Sequence, residues 1–227
     1  MHALDNVIWK ALSSLQSHLA ISNDRSARFL PDVSVLGALA EPTDDAFQAL
    51  ELLVKSGERV GLFVNEIPET PSPWRIFRSG QMLEMVYAGS SLRKDGKGNP
   101  EFQRLGKDDV PEMLTLTELT KPGPFSKRTH EMGEYWGIRE NGRLVAMAGE
   151  RLRIAGFTEV SAVCTHPDCL GRGYAGALIS MLVRRMCGRG ERPFLHVRAD
   201  NSRAVDLYER IGFEKRVLMH YVVLEQH

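Results

Sequence analysis

Apolar residues return along the chain with two different periods, and the switches between those periods mark out the elements. Leu4, Ile8, Leu12, Leu15 and Leu19 recur at helical spacing, with Lys10, Ser13, Ser14 and Ser17 mostly off that line, and predict an amphipathic N-terminal helix. Thr43 followed by Asp44 and Asp45 predicts a capped second helix that turns Phe47, Leu50, Leu53 and Val54 inward and stops at Gly57. Segments 59–66, 74–79 and 82–88 read as strands, separated by the loop IPETPSP and by a turn at Gly80. The stretch SLRKDGKGNP, residues 91–100, is polar, basic and glycine-containing. It reads as a linker, with a boundary near residue 98 between an N-terminal α/β unit (1–98) and a C-terminal unit (99–227).

The second half opens with a short strand at 102–105 and a helix from Asp108 to about Thr120, where Val110, Met113, Leu114 and Leu116 or Leu119 face inward until KPGPF breaks it. Strands at 134–139 and 144–152 are joined by Asn141-Gly142, the dipeptide that best supplies the two positive φ values of a type I′ turn. A strand at 157–165, a long helix from Tyr174 to Cys187, a strand at 194–197, a short helix from Ser202 to Ile211 and one or two strands from Phe213 to Leu224 complete the pattern. The fold class expected is α/β, of the α+β kind with a mixed sheet.

Composition narrows the function classes. Of 227 residues 43% are hydrophobic and 26% charged, which describes an ordinary globular protein and excludes collagen, low complexity and a disulfide scaffold. Twenty-nine Lys and Arg balance 29 Asp and Glu, so no global field draws the molecule to nucleic acid or an anionic bilayer. Arg184, Arg185, Arg189 and Arg192 sit around a helix C-terminus, where cations stabilise exposed carbonyls, and read as a solvated helix end. Cys164, Cys169 and Cys187 form neither a metal-ligand spacing nor an even disulfide set. No apolar run approaches the roughly 18 residues of a membrane span. The expectation is a cytoplasmic protein without a metal, a nucleic-acid partner or a membrane.

The informative stretch is THPDCLGRGYAGAL, residues 165–178, between a strand and the long helix. Gly171, Gly173, Ala175 and Gly176 strip side-chain bulk from the point where a helix begins, so its unpaired N–H groups can face an anion such as a pyrophosphate, and Arg172 can add charge. Gly171, Gly173 and Gly176 also spell the dinucleotide fingerprint G-x-G-x-x-G. Against that stand the five residues between Thr165 and Gly171, the poor placement of Glu191 and Asp200 for a ribose, and the single helix that follows.

At these residues the sequence resembles the GNAT superfamily of acyl-CoA-dependent N-acetyltransferases. The resemblance rests on AVCTHP, GRGYAG, PFLHVRADN and SRAVDLYERIGF in that order and covers about residues 99–227. Residues 1–98 have a similar helix and strand flavour without a glycine-rich loop, compatible with a degenerate copy of the same fold. Leu170 departs from the pattern, since the family often has Gln or Arg there. The resemblance implies that the strands ending at Thr165 and at Val197 splay apart. The backbone of Val163, Cys164 and Thr165 would bind the pantetheine arm, residues Gly171, Arg172, Gly173, Tyr174, Ala175 and Gly176 the pyrophosphate, and Asn201 and Tyr208 would also meet the cofactor, acetyl-CoA or coenzyme A.

Acyl transfer from a thioester to an amine needs a neutral amine and a stabilised thiolate. Tyr208 is expected to stabilise the leaving group and act as general acid, against the bland alternative of a core residue on the stripe Ala204, Leu207, Tyr208 and Ile211. His196, on the strand bordering the expected cleft, is the first choice of base, with Glu150 and Glu159 on adjoining strands as alternatives. Cys164 reads as a small buried hydrophobe. The expected activity is transfer of an acetyl or short acyl group from acetyl-CoA to a primary amine by direct attack in a ternary complex. The rival is a non-catalytic acyl-CoA-binding sensor or regulatory module.

Overall fold

The computed structural model describes residues 2–89 and 100–227. The boundary near residue 98, and all of the expected linker except Pro100, lie outside the described residues. The chain opens with a short helix, α1 (Val7–Leu12), whose Val7, Ile8, Ala11 and Leu12 are buried. It does not run on to Leu19 as expected. Ser13 and Ser14 turn their hydroxyls onto the carbonyls of Trp9 and Lys10, a local bonding pattern that competes with the helix, and Leu15 is left 54% exposed. A 3-10 turn at Ser17–Leu19 leads into three short strands that the sequence did not announce: β1 (Ala20–Ser22), β2 (Ser26–Phe29) and β3 (Gly37–Leu39), an antiparallel sheet in that order. Then comes α2 (Asp44–Glu51), capped by the Thr43 hydroxyl, which accepts from the Ala46 N–H.

Eight further strands form one sheet. They are β4 (Arg59–Val64), β5 (Trp74–Tyr87), β6 (Gln103–Leu105), β7 (Tyr135–Glu140), β8 (Arg143–Ile154), β9 (Phe157–Thr165), β10 (Arg192–Arg198) and β11 (Phe213–Gln226). Their order is β4-β11-β5-β10-β9-β8-β7-β6, antiparallel throughout except for β9 beside β10. Two expectations are corrected here. Gly80 makes no turn, because β11 pairs with β5 from Phe213 opposite Tyr87 to Gln226 opposite Trp74 and holds Gly80 extended within one 14-residue strand. The two expected units do not build separate sheets, because β5 from the first half lies between β10 and β11 from the second.

Three longer helices cover the sheet: α3 (Val110–Thr120), α4 (Tyr174–Gly188) and α5 (Ser202–Ile211). On one face Leu178, Leu182 and Met186 of α4 and Val205 of α5 share a core with Met85, Leu195 and Val197. On the other, Ile8 of α1 and Phe29 of β2 meet Val86 and Phe194, and Met113 and Leu116 of α3 meet Met147 and Cys164. Each fully buried side chain of this size contributes about 1.5–3 kcal/mol, so both faces hold the sheet in shape.

The sheet parts in the middle. β9 and β10 pair only at Phe157–Arg192, Thr158–Pro193 and Glu159–Phe194. Beyond that point β10 stays with β5, Phe194 to Arg198 running opposite Val86 to Met82, while β9 stays with β8. The β8–β9 register slips where Cys164 to Ser161 lies opposite Met147 to Gly149, an extra residue in β9. Ala162 there takes a φ of 51°, a left-handed conformation costing an alanine about 1–2 kcal/mol. Such a bulge bends its strand and leaves a residue unpaired. The outcome is a wedge, closed at the start of the two parallel strands and open at their C-terminal ends.

Candidate active site

The wedge widens into a cavity of about 1370 Å³. Residues 160–163 of β9 line one side and His196 and Arg198 of β10 another; α3 contributes Leu114, Thr117 and Glu118, and α5 contributes Tyr208. The ring of His196 is fully buried while the residue as a whole is not, so it reaches the wedge through its main chain. Tyr208 is 9% exposed, and its hydroxyl has no hydrogen-bond partner among the described residues. Burial pushes its phenol up to about 12.

Behind this lining runs a line of charges of alternating sign, buried from Arg151 to Glu84 and half-buried beyond. Arg151 Nη2 lies 2.6 Å from Glu159 Oε1, and His196 Nδ1 lies 2.7 Å from the same oxygen. His196 Nε2 faces Glu84 Oε2 at 3.5 Å, Glu84 is bonded by Arg216 Nε, and Arg216 Nη1 reaches Asp5 Oδ1 at 2.9 Å. Bulges help to place both arginines. The β5–β11 register slips between Lys215 and Val217, leaving Arg216 as the extra residue, and the β8–β9 register slips between Glu150 and Arg153. Burial works against the charge on Glu159, but the Arg151 guanidinium and the His196 ring outweigh it and hold the carboxyl down to about 2. Burial likewise lowers His196, and its contacts with Glu159 and Glu84 reverse that and raise it above the ordinary imidazole value. Two neighbouring carboxylates favour the charged form of the ring, and Nδ1 is already engaged with Glu159.

The expected bases therefore do not stand ready. His196 and Glu159 are tied to each other, and Glu159 also to Arg151. Glu150 is not at the cavity: it sits buried against Arg189 Nη2 at 2.6 Å, by the C-terminal end of α4. The β8–β9 register slip that begins after Glu150 is where it and the cavity-lining Arg151 part company. Cys164 is a buried thiol in the α3 core, pushed up to about 11 by burial, as its reading as a small hydrophobe anticipates.

At the open end of the wedge β9 gives way to the glycine loop. Gly171 and Gly173 have φ values of 81° and 80°, and nothing lies within 4 Å of where a Cβ would stand on either. No side chain caps α4, and its first intrahelical bond runs from the Ala177 N–H to the Gly173 carbonyl. The N–H groups of Gly173, Tyr174, Ala175 and Gly176 are thus left without helical acceptors. The Arg172 guanidinium is engaged 2.7 Å from Glu140 Oε1, which the Tyr174 hydroxyl also bonds. Their side chains are thereby spent on a carboxylate, and the main chain is what the loop offers. Asn201 caps α5, its side-chain oxygen accepting from the Ala204 N–H at 3.2 Å. The Thr165 hydroxyl, buried at the end of β9, has no hydrogen-bond partner among the described residues. Bare amides, an open wedge and an unused hydroxyl fit a pyrophosphate-bearing thioester.

A solved structure assigned to the GNAT family of acetyltransferases, from Novosphingobium aromaticivorans, matches this chain with a TM-score of 0.92 at 36% identity, covering 100% of both chains. The chain belongs to the GNAT family. Within it, the FR47-like protein family matches residues 135–223, which span β7 to β10 and most of β11. An acetyltransferase from Yersinia enterocolitica is 42% identical over 50 residues, a match spanning 22% of this chain and 36% of that protein. One from Pectobacterium atrosepticum is 44% identical over a stretch of the same length. A GCN5-related N-acetyltransferase from Kribbella flavida shares the fold at 17% identity, with a TM-score of 0.57 over 89% of this chain and 88% of that one. Among the described residues of this GNAT chain no helix is long and apolar enough to cross a membrane, and no group of three His, Cys, Asp or Glu could hold a metal ion.

The wedge of this GNAT protein brings together Val163, His196 and Tyr208 of the expected residues, with the glycine loop at its open end, and leaves Glu150 outside the cavity lining. It also exposes residues that sequence reasoning passed over. Glu118 lines the cavity from α3 and forms no ion pair among the described residues. Its signal was present as the row Leu114, Glu118 and Lys121 along one helix face. Arg78 lines the cavity from β5 and had no such signal, because its placement depends on a bulge.

Proposed function

We propose that this protein transfers an acetyl or short acyl group from acetyl-CoA to a primary amine by direct attack within a ternary complex. The observation that carries this is the parted β9–β10 pair, which runs from bare α4 amides at its open end to a cavity holding a free tyrosine hydroxyl. Acetyl-CoA would supply the activated acyl group as its thioester. The main-chain N–H groups of residues 173–176 would grip the pyrophosphate, each charge-assisted bond contributing about 1.5–3 kcal/mol. The freed edge of β9 at Val163, Cys164 and Thr165 would align the pantetheine arm as an added strand.

Tyr208 acts by hydrogen bonding rather than by full proton transfer. A phenol near 12 facing a thiolate whose ordinary value is near 8.5 would donate uphill by about 5 kcal/mol, whereas a hydrogen bond to the departing sulfur has no such cost. Deprotonation of the amine falls to Glu118, directly or through water, because the buried carboxylates are neutralised and Asp200 is bonded to Arg198 at 2.6 Å. The line of charges from Arg151 to Asp5 positions the β9 and β10 walls. The test is acetyl-CoA consumption across a panel of amines with mass detection of the product. Acylated amine accumulating in step with free CoA is expected. Stoichiometric CoA binding with no amine acylated would instead mark a cofactor-sensing module.

A further inference from the structure

The charge lining the cavity specifies its substrate further. Among the described residues, Arg59, Arg78, Lys121, Arg151 and Arg198 line it against two carboxylates, Glu118 and Asp200. Arg151 and Arg198 have buried or local partners in Glu159 and Asp200. Arg59 shares the single carboxylate of Glu225 with Arg75, so that group leaves a surplus positive charge. Arg78 and Lys121 form no ion pair among the described residues. Arg78 lies 5.9 Å from the ring centre of Tyr221, and the β5–β11 register slips beside it, where Arg78 and Ile76 oppose Val223 and Leu224 with Phe77 as the extra residue. A bulge re-aims side chains, and here both Phe77 and Arg78 line the cavity. A site for a lysine side chain or a polyamine would present the opposite surplus, since like charges in a confined space repel.

Resting on the acyl-transfer proposal, we infer that the acceptor is a small amine that also carries a compact anion, carboxylate or phosphate, received by Arg78 and Lys121. An arginine fork binds either group through paired N–H bonds. Lys121 is presented from a left-handed turn of φ 49° that ends α3, one turn beyond Glu118. The same helix end thus offers a carboxylate for the ammonium and a cation for the anion.

The test measures kcat/KM for an amino acid, its amide, phosphoethanolamine, ethanolamine and a diamine. The amino acid or phosphoethanolamine should exceed its uncharged counterpart at least tenfold, and whichever does so identifies the anion. Arg78→Gln should raise KM for the preferred anionic amine about tenfold and bring its advantage over the uncharged counterpart towards one, with Arg78→Lys restoring part of it. Equal values for amino acid and amide and for the two ethanolamines, a preference for the diamine, or a selectivity untouched by Arg78→Gln would overturn the inference while leaving acyl transfer standing. Binding of CoA with none of the five amines consumed would overturn both.

Discussion

At the scale of single residues, the chemistry turns on which polar side chains are already committed. Tyr208 is uncommitted, so Tyr208→Phe should lower kcat about 10–100-fold while acetyl-CoA affinity changes less than twofold; an unchanged kcat would remove the hydroxyl from the reaction. With its phenol near 12, the wild type should show no loss of kcat below pH 10 traceable to tyrosine ionisation. Glu118→Gln should lower kcat about 100-fold with acetyl-CoA affinity kept, whereas His196→Gln should not. The reverse result would restore His196 as base. Glu150→Gln should leave kcat within twofold, because that carboxylate serves Arg189 outside the cavity lining. Tyr208 was legible in the sequence through its motif. The status of His196 was not, because its two carboxylate neighbours, Glu84 and Glu159, arrive from strands 112 and 37 residues away along the chain.

Elements carry the second set of consequences. Helix α4 and its glycine loop could be read from sequence because the signal is contiguous: glycines at positive φ, then an amphipathic run. Gly173→Asp would force a side chain into a left-handed position and set a negative charge before the free amides. It should weaken CoA binding at least a hundredfold by calorimetry, the loss of two or more charge-assisted bonds, with a cooperative unfolding transition retained. Unchanged affinity would move the pyrophosphate elsewhere. Strands were less legible wherever alternation fails. Arg78, Arg151, Ala162 and Arg216 all sit at or beside register slips, and a period-two reading assigns side chains to faces only while the period holds. The irregular positions that hide from pattern analysis are those that aim charge at the cavity and its walls. The first helix was overextended for a related reason, since serine hydroxyls that end a helix leave the apolar spacing intact.

For the whole molecule, the charge line ties α1 to the sheet through Asp5 and couples folding to pH. The Glu159 carboxyl, held near 2 against an ordinary 4.5, contributes stability that is complete above about pH 4.5 and lost as pH falls towards 2. His196, raised above an ordinary 6.5, contributes stability that is complete below about pH 6.5 and lost as pH rises through its folded value. Urea denaturation should therefore give a maximum between about pH 4.5 and 6.5. His196→Gln should flatten the alkaline side, and an unchanged slope would show that the ring does not titrate with folding. Glu159→Gln, which leaves Arg151 buried and unpaired, should cost about 3–5 kcal/mol.

The placement of β5 between β10 and β11 decides what a truncated gene could yield. A polypeptide of residues 100–227 would carry the glycine loop and Tyr208 yet expose three rows of unmatched amide and carbonyl groups, one on β10 and both edges of β11, an invitation to aggregate. Supplied in the same cell with residues 1–89, it should instead assemble into a soluble two-piece protein, the two missing ribbons slotting in on either side of β11. The half bearing the recognisable motifs thus does not stand alone.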